Sequence, residues 1–165
     1  MKKEMIPHEW SDYVGKSFVG LEVVPWVLYD TEFFKSGKTL RLDFFRTVKK
    51  SRAHTNMNFG GMLPDPQAFL IRSIAINGVT TNIQLGFCTL TIGDKLYQVT
   101  PAWNFALKGR GLILSPNIVI ARLQNFQFQM EWEAPVDVGA GLSGRKVIYH
   151  PLQVCLHGVM ARSVC

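Results

Sequence analysis

Residues 123–134 read Leu-Gln-Asn-Phe-Gln-Phe-Gln-Met-Glu-Trp-Glu-Ala, and apolar and polar side chains alternate along this stretch without an error. Successive side chains of a β-strand point to opposite faces, so a period of two predicts a half-buried strand. One face of this strand would be apolar and buried, and the other polar and exposed. The inward residues would be Phe126, Phe128, Met130 and Trp132, and the outward residues Gln127, Gln129, Glu131 and Glu133.

Other strand-like runs surround this stretch at uneven spacing, and no confident amphipathic helix interrupts them. We predict them at residues 18–29, 39–48, 67–76, 83–91, 95–100 and 146–162, with short apolar pieces at 112–114 and 117–121. Pro25 places the first run at a sheet edge or a bulge, and Gly93-Asp94 is typical of a two-residue hairpin.

About eight strands of this kind predict an all-β fold, a single jelly-roll antiparallel β-sandwich. No internal repeat, low-complexity tract or composition shift divides the chain. We therefore predict one domain over residues 1–165, with a short N-terminal arm or helical turn over about residues 1–17.

The composition is poor in charge. Of the 165 residues, 47% are hydrophobic and only 18% are charged, below the roughly 25% typical of soluble domains. A large buried interface explains this most simply, although a sandwich with Gln-rich and Thr-rich faces reaches the same composition. The net charge of +6 fits a polyanionic partner, nucleic acid or anionic lipid, and equally fits a basic protein without one.

Cysteine usage and hydropathy indicate the cellular compartment in which the protein is made. Cys88, Cys155 and Cys165 make an odd number without a C-x-x-C pair, so neither a disulfide framework nor a zinc site is expected. We expect Cys88 and Cys155 to be core thiols. No stretch approaches the ~20 apolar residues of a membrane span, and no secretory signal is expected, so we predict synthesis in a cytoplasm.

Catalytic and metal-binding motifs are weak. His150 and His157 are an odd number of positions apart, so an unbroken strand would place them on opposite faces, and the H-x-H pair of cupins is missing. Glu131 and Glu133 share a face about 7 Å apart, but solvated charge is the commoner reason for such a pair. Gly-Leu-Ser-Gly around Ser143 lacks the G-x-S-x-G of a nucleophile elbow. We predict no catalytic residue, metal site or cofactor.

The long aperiodic segment 49–66 and the loop 101–111 carry the best candidate contacts. Candidate residues for assembly or for an anionic surface are Lys49, Lys50, Arg52, Lys108 and Arg110. A solvated loop is the competing interpretation. We expect that replacing the first three with Ser leaves the fold intact and weakens assembly or lipid binding. The loop aromatics Phe59, Trp103 and Phe105 are either stacking platforms or caps on the ends of the sandwich.

Two segments resemble a known family. Residues 55–71 hold Thr-Asn followed by Gly-x-Leu-Pro-x-Pro-x-x-Phe, which is similar to the approach to a strand in jelly-roll coat proteins of tailless icosahedral phages with an internal membrane. Residues 116–135, from Pro116 through Gln124-Asn125-Phe126 to Trp132 and Pro135, are similar to the penultimate strand of the same proteins.

This resemblance implies a single jelly roll that stands upright in a capsid and associates with copies of itself or a sister coat protein, in a shell over a lipid bilayer. It implies no cofactor, catalytic residue or small-molecule substrate, and it leaves a main coat subunit and a vertex protein as alternatives. Two rival functions stay open: a carbohydrate- or ligand-binding β-sandwich module that uses Trp26 and Trp103, and a cupin-like or glycosidase-like enzyme that uses Glu131 with Glu133, or His150 with His157.

Overall fold

The described part of the chain forms two four-stranded antiparallel sheets. The computed structural model describes residues 7–14, 20–46, 50–105, 111–138 and 149–163. The strands are β1 Leu21–Lys35, β2 Arg41–Phe44, β3 Gln67–Asn77, β4 Phe87–Ile92, β5 Lys95–Pro101, β6 Leu112–Ile120, β7 Phe126–Glu131 and β8 Tyr149–Ser163. One α-helix, α1, spans Pro7–Val14, and short 3-10 turns span Ile83–Leu85 and Ala102–Phe105.

The strand order is that of a jelly roll. The first sheet has the order β1-β8-β3-β6 and the second the order β2-β7-β4-β5. Strand β1 pairs with β8, β2 with β7, β3 with β6, and β4 with β5, always antiparallel. The chain is thus one long hairpin rolled into two sheets, which confirms the predicted eight-stranded fold.

The alternating stretch forms β7, which lies between β2 and β4 in the second sheet. Its inward residues are buried as predicted, and Phe128 packs edge-on against Phe44 and Phe105, with ring centroids 6.1 Å and 5.7 Å away. Trp132 lies just beyond the strand and stays buried, because its Nε1 donates a hydrogen bond of 3.1 Å to the carbonyl of Ile83. The two sheets close over this aromatic core.

Several predicted strand bounds were wrong. Residues 83–85 form a 3-10 turn instead of the start of a strand, and β4 begins only at Phe87. The pieces on either side of Pro116 are one continuous strand, β6, which tolerates the proline because it lies at the edge of its sheet. Strand β1 is an edge strand, as Pro25 predicts, but it continues to Lys35. Strand β2 ends at Phe44 because Phe45 adopts a positive φ of 67°.

Helix α1 lies within the predicted arm and covers part of the outer face of the first sheet. Trp10 and Val14 are buried there against small and aliphatic side chains of β3 and β8: Ala68, Leu70, Val159 and Ala161. The carbonyl of Tyr13 also accepts a hydrogen bond from the backbone N–H of Arg122. In the part of the chain that the structure describes, no helix has the length and apolar character needed to cross a bilayer.

Candidate functional site

One predicted contact residue, Lys50, is mostly buried. Its Nζ lies 2.7 Å from Oδ2 of Asp30 and 2.5 Å from Oε1 of Glu32, and its side chain is only 13% exposed. Asp30 is fully buried, and the same Oδ2 accepts a hydrogen bond of 2.6 Å from the backbone N–H of Phe45. Lys50 therefore anchors the loop to β1 through two carboxylates, so it is not a free cation of a basic rim.

The other four basic candidates are distributed differently. Arg52 is exposed, and its carbonyl accepts a hydrogen bond of 2.6 Å from the hydroxyl of Tyr29. Lys49, Lys108 and Arg110 lie outside the described residues. Arg52 is thus the one predicted contact residue that the described structure places on the surface.

The loop that follows Lys50 closes the outer edge of β1. The Asn56 side chain accepts from the backbone N–H of Tyr29 at 2.9 Å and donates to the carbonyl of Val27 at 2.6 Å. The backbone N–H of Asn56 donates to the carbonyl of Tyr29, and Thr55 forms a bridge to Asp30. An unpaired strand edge can pair with another chain. The Asn56 side chain occupies hydrogen-bonding groups of β1 and protects this edge as a further strand would.

The loop aromatics separate into two kinds. Phe105 is buried against Phe128, which fits the interpretation that it caps the sandwich. Phe59 is 48% exposed on the loop 50–66. The side chain of Trp103 lies outside the described part of the structure.

The residues that the enzyme alternative would use lie on different faces of the sheet or already contact other side chains. Glu131 is half-exposed and lies 3.5 Å from Arg41, and Glu133 is exposed beyond the end of β7. His150 lies opposite Phe34, which faces the core, whereas His157 faces outward opposite Val27. Among the described residues, no group of three or more His, Cys, Asp or Glu side chains could hold a metal ion. Ser143 is outside the described ranges.

Of the two predicted core thiols, Cys88 lies in the core between the sheets, and Cys155 is buried in an outward row of the first sheet, near Asn77 and Gln153. Cys88 and Cys155 are free and buried, and burial raises the pKa of both thiols. A raised pKa keeps a thiol protonated at neutral pH and therefore unreactive. Cys165 lies outside the described residues.

The outer face of the first sheet has no carboxylate at any outward position of its four strands. Pairing registers put Tyr29, Cys155 and Ala75 in one outward row, and Val27, His157 and Ser73 in the next. Helix α1 covers one end of this face. We call the remainder the open face, which consists of Val27, Tyr29, Thr31, Phe33, Lys35, Arg72, Ser73, Ala75, Asn77, Ile113, Tyr149, Pro151, Gln153, Cys155 and His157.

Large apolar side chains are exposed on the open face, with Ile113 63% exposed, Tyr149 58% and Phe33 45%. Its formal charges are Lys35, 5.6 Å from the centre of the Tyr149 ring, and Arg72. Arg72 is the extra residue of a β-bulge in β3 and is exposed. Since β3 is an inner strand of the sheet, an exposed side chain there must point away from the core.

The outer face of the second sheet combines a polar network around Asp43 with exposed apolar side chains, of which Phe87 is 45% and Leu96 62% exposed. Asp43 Oδ1 accepts hydrogen bonds from Gln127 at 2.8 Å, Gln129 at 2.9 Å and Arg41 at 3.0 Å. Burial alone would raise the pKa of Asp43, but these hydrogen bonds and the charge of Arg41 outweigh burial and lower it. Arg46 lies 3.3 Å from the other oxygen, Oδ2, so Asp43 joins two outward glutamines and two arginines in one network.

A groove of about 620 Å³ runs along the edge of β1. Its lining is mostly apolar and consists of Pro25, Trp26, Val27, Tyr29, Asn56, His157 and Gly158. Trp26 is 39% exposed, and the guanidinium of Arg162 lies 5.8 Å from the centre of its ring. An adjoining cleft of about 380 Å³ lies over the loop and is lined by Lys50, Arg52 and their polar neighbours.

No protein-family model and no curated protein matches this chain. The open face, the docked loop and the groove are therefore the features from which a function can be inferred.

Proposed function

We propose that this chain is a structural capsid protein that associates with copies of itself, or with a sister coat protein, to build an icosahedral shell. The jelly-roll strand order supports this proposal, together with the resemblance of residues 55–71 and 116–135 to phage coat proteins. The chain would be made in the host cytoplasm and reside in the virion. It would have no catalytic activity, cofactor or small-molecule substrate.

The open face is the observation that carries the proposal. A surface with exposed Ile113, Phe33 and Tyr149 and no carboxylate at the outward positions of its strands is costly to leave in water, and such surfaces mark interaction sites. The face is built on four hydrogen-bonded strands, so it is extended. Burial of this face between subunits would account for the low charge content of the chain.

The loop supplies a second, weaker contact under this proposal. Its anchor at Lys50 and Asn56 holds Arg52 and Phe59 at the surface, where they are available to a neighbouring subunit, anionic lipid or packaged nucleic acid. Charge attraction through Arg52 would be screened by salt, because the side chain is exposed.

The groove beside Trp26 favours one alternative, a carbohydrate- or ligand-binding module. Sugars stack on exposed aromatic rings, and Trp26 with Tyr29 lines a groove large enough for a small ligand. Titration of neutral sugars against the parent and Trp26→Ala, followed by tryptophan fluorescence and calorimetry, tests this alternative. Saturable binding by a strictly monomeric parent, lost in the variant, would support the module in place of the coat protein.

The molar mass of the purified chain tests the capsid proposal. Light scattering over a concentration series, with negative-stain electron microscopy, should give discrete oligomers or shells. Ile113→Asp should lower the assembled mass because it buries a carboxylate in the open face. The matched control Leu123→Asp, which changes an exposed leucine of a turn, should assemble like the parent. A parent that stays monomeric at every concentration would overturn the proposal.

A further inference from the structure

We infer that the apolar patch beneath α1 is a helix-docking site that receives α1 of a second copy as well as α1 of its own chain. The inference rests on the proposed self-assembly and names a contact through which two subunits exchange α1. The docking site consists of Ala68, Leu70, Val159 and Ala161, and Leu21 and Val119 pack against it.

Two alanines shape the docking site. Ala68 and Ala161 lie side by side in the register of β3 with β8, and the next outward row holds Leu70 beside Val159. The short alanine side chains leave a depression next to the larger ones. Trp10 packs in this cluster with only 1% of its surface exposed. The outer face of the sheet therefore offers a seat for one large side chain.

Helix α1 carries all the groups that this seat recognises. Trp10 and Val14 are four positions apart, so they lie on one face of the helix, and both are buried. Asp12 and Tyr13 are exposed. The backbone N–H of Arg122 donates a hydrogen bond of 3.1 Å to the carbonyl of Tyr13. Because these groups belong to one short segment, α1 of a second copy presents the same set.

Docking keeps α1 helical. The helix has eight residues, and isolated helices shorter than about 12 to 15 residues are marginal in water. The cluster of α1 and its docking site is separate from the core between the two sheets. Undocking of α1 therefore leaves that core closed, so α1 is a unit that opens locally while the sandwich stays folded.

The position of α1 favours exchange. Tyr13 contacts Arg122, which lies just beyond β6, and β6 and β1 are the opposite edges of the first sheet. At ~4.8 Å per strand spacing these edges are about 14 Å apart, and the link from Val14 to Leu21 reaches at most about 25 Å. The helix thus ends at the sheet edge farthest from the strand that follows it. A neighbouring copy within the same reach offers identical contacts, and exchange of identical elements between copies is a low-cost route to association.

A peptide added to the full chain tests the docking site. In Trp10→Ala, α1 should undock, and the Arg122 amide should exchange with solvent about tenfold faster than in the parent. A synthetic peptide of residues 6–17 should restore protection of that amide in a saturable manner, because it supplies Trp10 and Val14 from outside the chain. The same peptide with Trp10→Ser and Val14→Ser should restore nothing. An unchanged exchange rate at the Phe128 amide reports that the core is intact.

Cysteine cross-linking tests the exchange itself. In a Cys165→Ser background, chains with Val14→Cys and chains with Val159→Cys are mixed before assembly and then oxidised. Exchange of α1 should give a disulfide-linked pair with one chain of each kind. A chain that carries both substitutions is the positive control, since it should link within itself. Asp12→Cys, on the exposed side of α1, is the matched control and should give no linked pair with Val159→Cys.

The outcomes separate this inference from the proposed function. A parent that never assembles overturns the capsid proposal, and the peptide then decides the docking site by itself. A peptide that restores no protection overturns the docking site. Assembly without the mixed cross-link overturns the exchange and leaves the capsid proposal standing. If phosphatidylglycerol vesicles speed up exchange at Arg122 in the parent and the mixed cross-link is absent, the other partner of α1 is lipid and the inference is wrong.

Discussion

Lys50 Nζ lies 2.7 Å from Oδ2 of the fully buried Asp30, although the two residues are 20 positions apart in the chain. This ion pair ties the start of the long loop to the edge strand β1, and Asn56 completes the attachment. The loop is therefore a fixed part of the sandwich, and its exposed residues are presented on a rigid base.

Removal of the Lys50 charge should destabilise the fold. Lys50→Met leaves the Asp30 carboxylate buried without its cation, and breaking a buried pair in this way costs about 3 to 5 kcal/mol. Denaturant titration of the variant should show this loss, while the exposed neighbour Arg52→Ser should change stability by less than about 0.5 kcal/mol. Equal stabilities for the two variants would show that the pair contributes nothing.

The sequence predicted that replacing Lys49, Lys50 and Arg52 with Ser would leave the fold intact. The ion pair of Lys50 with Asp30 changes that expectation. Replacement of Lys49, Lys50 and Arg52 by Ser removes the Asp30 partner, so weakened assembly in that variant would mix two causes. Arg52→Ser alone keeps the anchor and isolates the surface contact.

Asn56 should control local opening of the β1 edge. Asn56→Ala removes the acceptor of the Tyr29 amide and the donor to the Val27 carbonyl, at a cost of about 1 to 3 kcal/mol. Hydrogen exchange should show faster exchange at the Tyr29 amide. The exposed control Asn58→Ala should leave that rate unchanged, and an unchanged rate in Asn56→Ala would mean that the edge is protected in another way.

The aromatic face of β7 should dominate the stability of the core. Phe128 is fully buried between Phe44 and Phe105, so Phe128→Ala should cost roughly 3 to 5 kcal/mol in a denaturant titration. Gln127→Ala removes only one half-buried hydrogen bond to Asp43 and should cost about 1 kcal/mol or less. Similar costs at the two positions would contradict the assigned faces.

Asp43 should make part of the stability depend on pH. Its pKa in the folded protein is lowered from the ordinary value of 3.8. Its contribution is thus fully present above pH 3.8 and is lost as the pH falls through the lower folded value. Asp43→Asn should be less stable than the parent at neutral pH, and the difference should shrink in acid below pH 3.8. Thermal melts at the two pH values check this, and a difference independent of pH would exclude the carboxylate as its source.

The sequence predicts the core better than the surfaces. A strand that is buried on one face repeats with period two, so β7 and its inward residues could be identified from residues 123–134 alone. The bounds of β2 and β6 depend on the positive φ at Phe45 and on the position of Pro116 at a sheet edge. Local composition does not encode either feature.

The candidate site depends on contacts between distant parts of the chain. Lys50 looks like a loop cation in the sequence, because its carboxylate partners precede it by 18 and 20 positions. The open face combines outward residues of four strands that are neighbours only in the jelly-roll order. Each strand alone shows a few neutral outward residues, and only the folded sheet brings them together.

A cryo-electron microscopy reconstruction of the assembled protein would show directly what covers each sheet. We predict that the open face, with Ile113 and Arg72, is buried in a contact between subunits in every copy. A reconstruction of a regular assembly in which that face is exposed to solvent, and the copies meet through other surfaces, would contradict it.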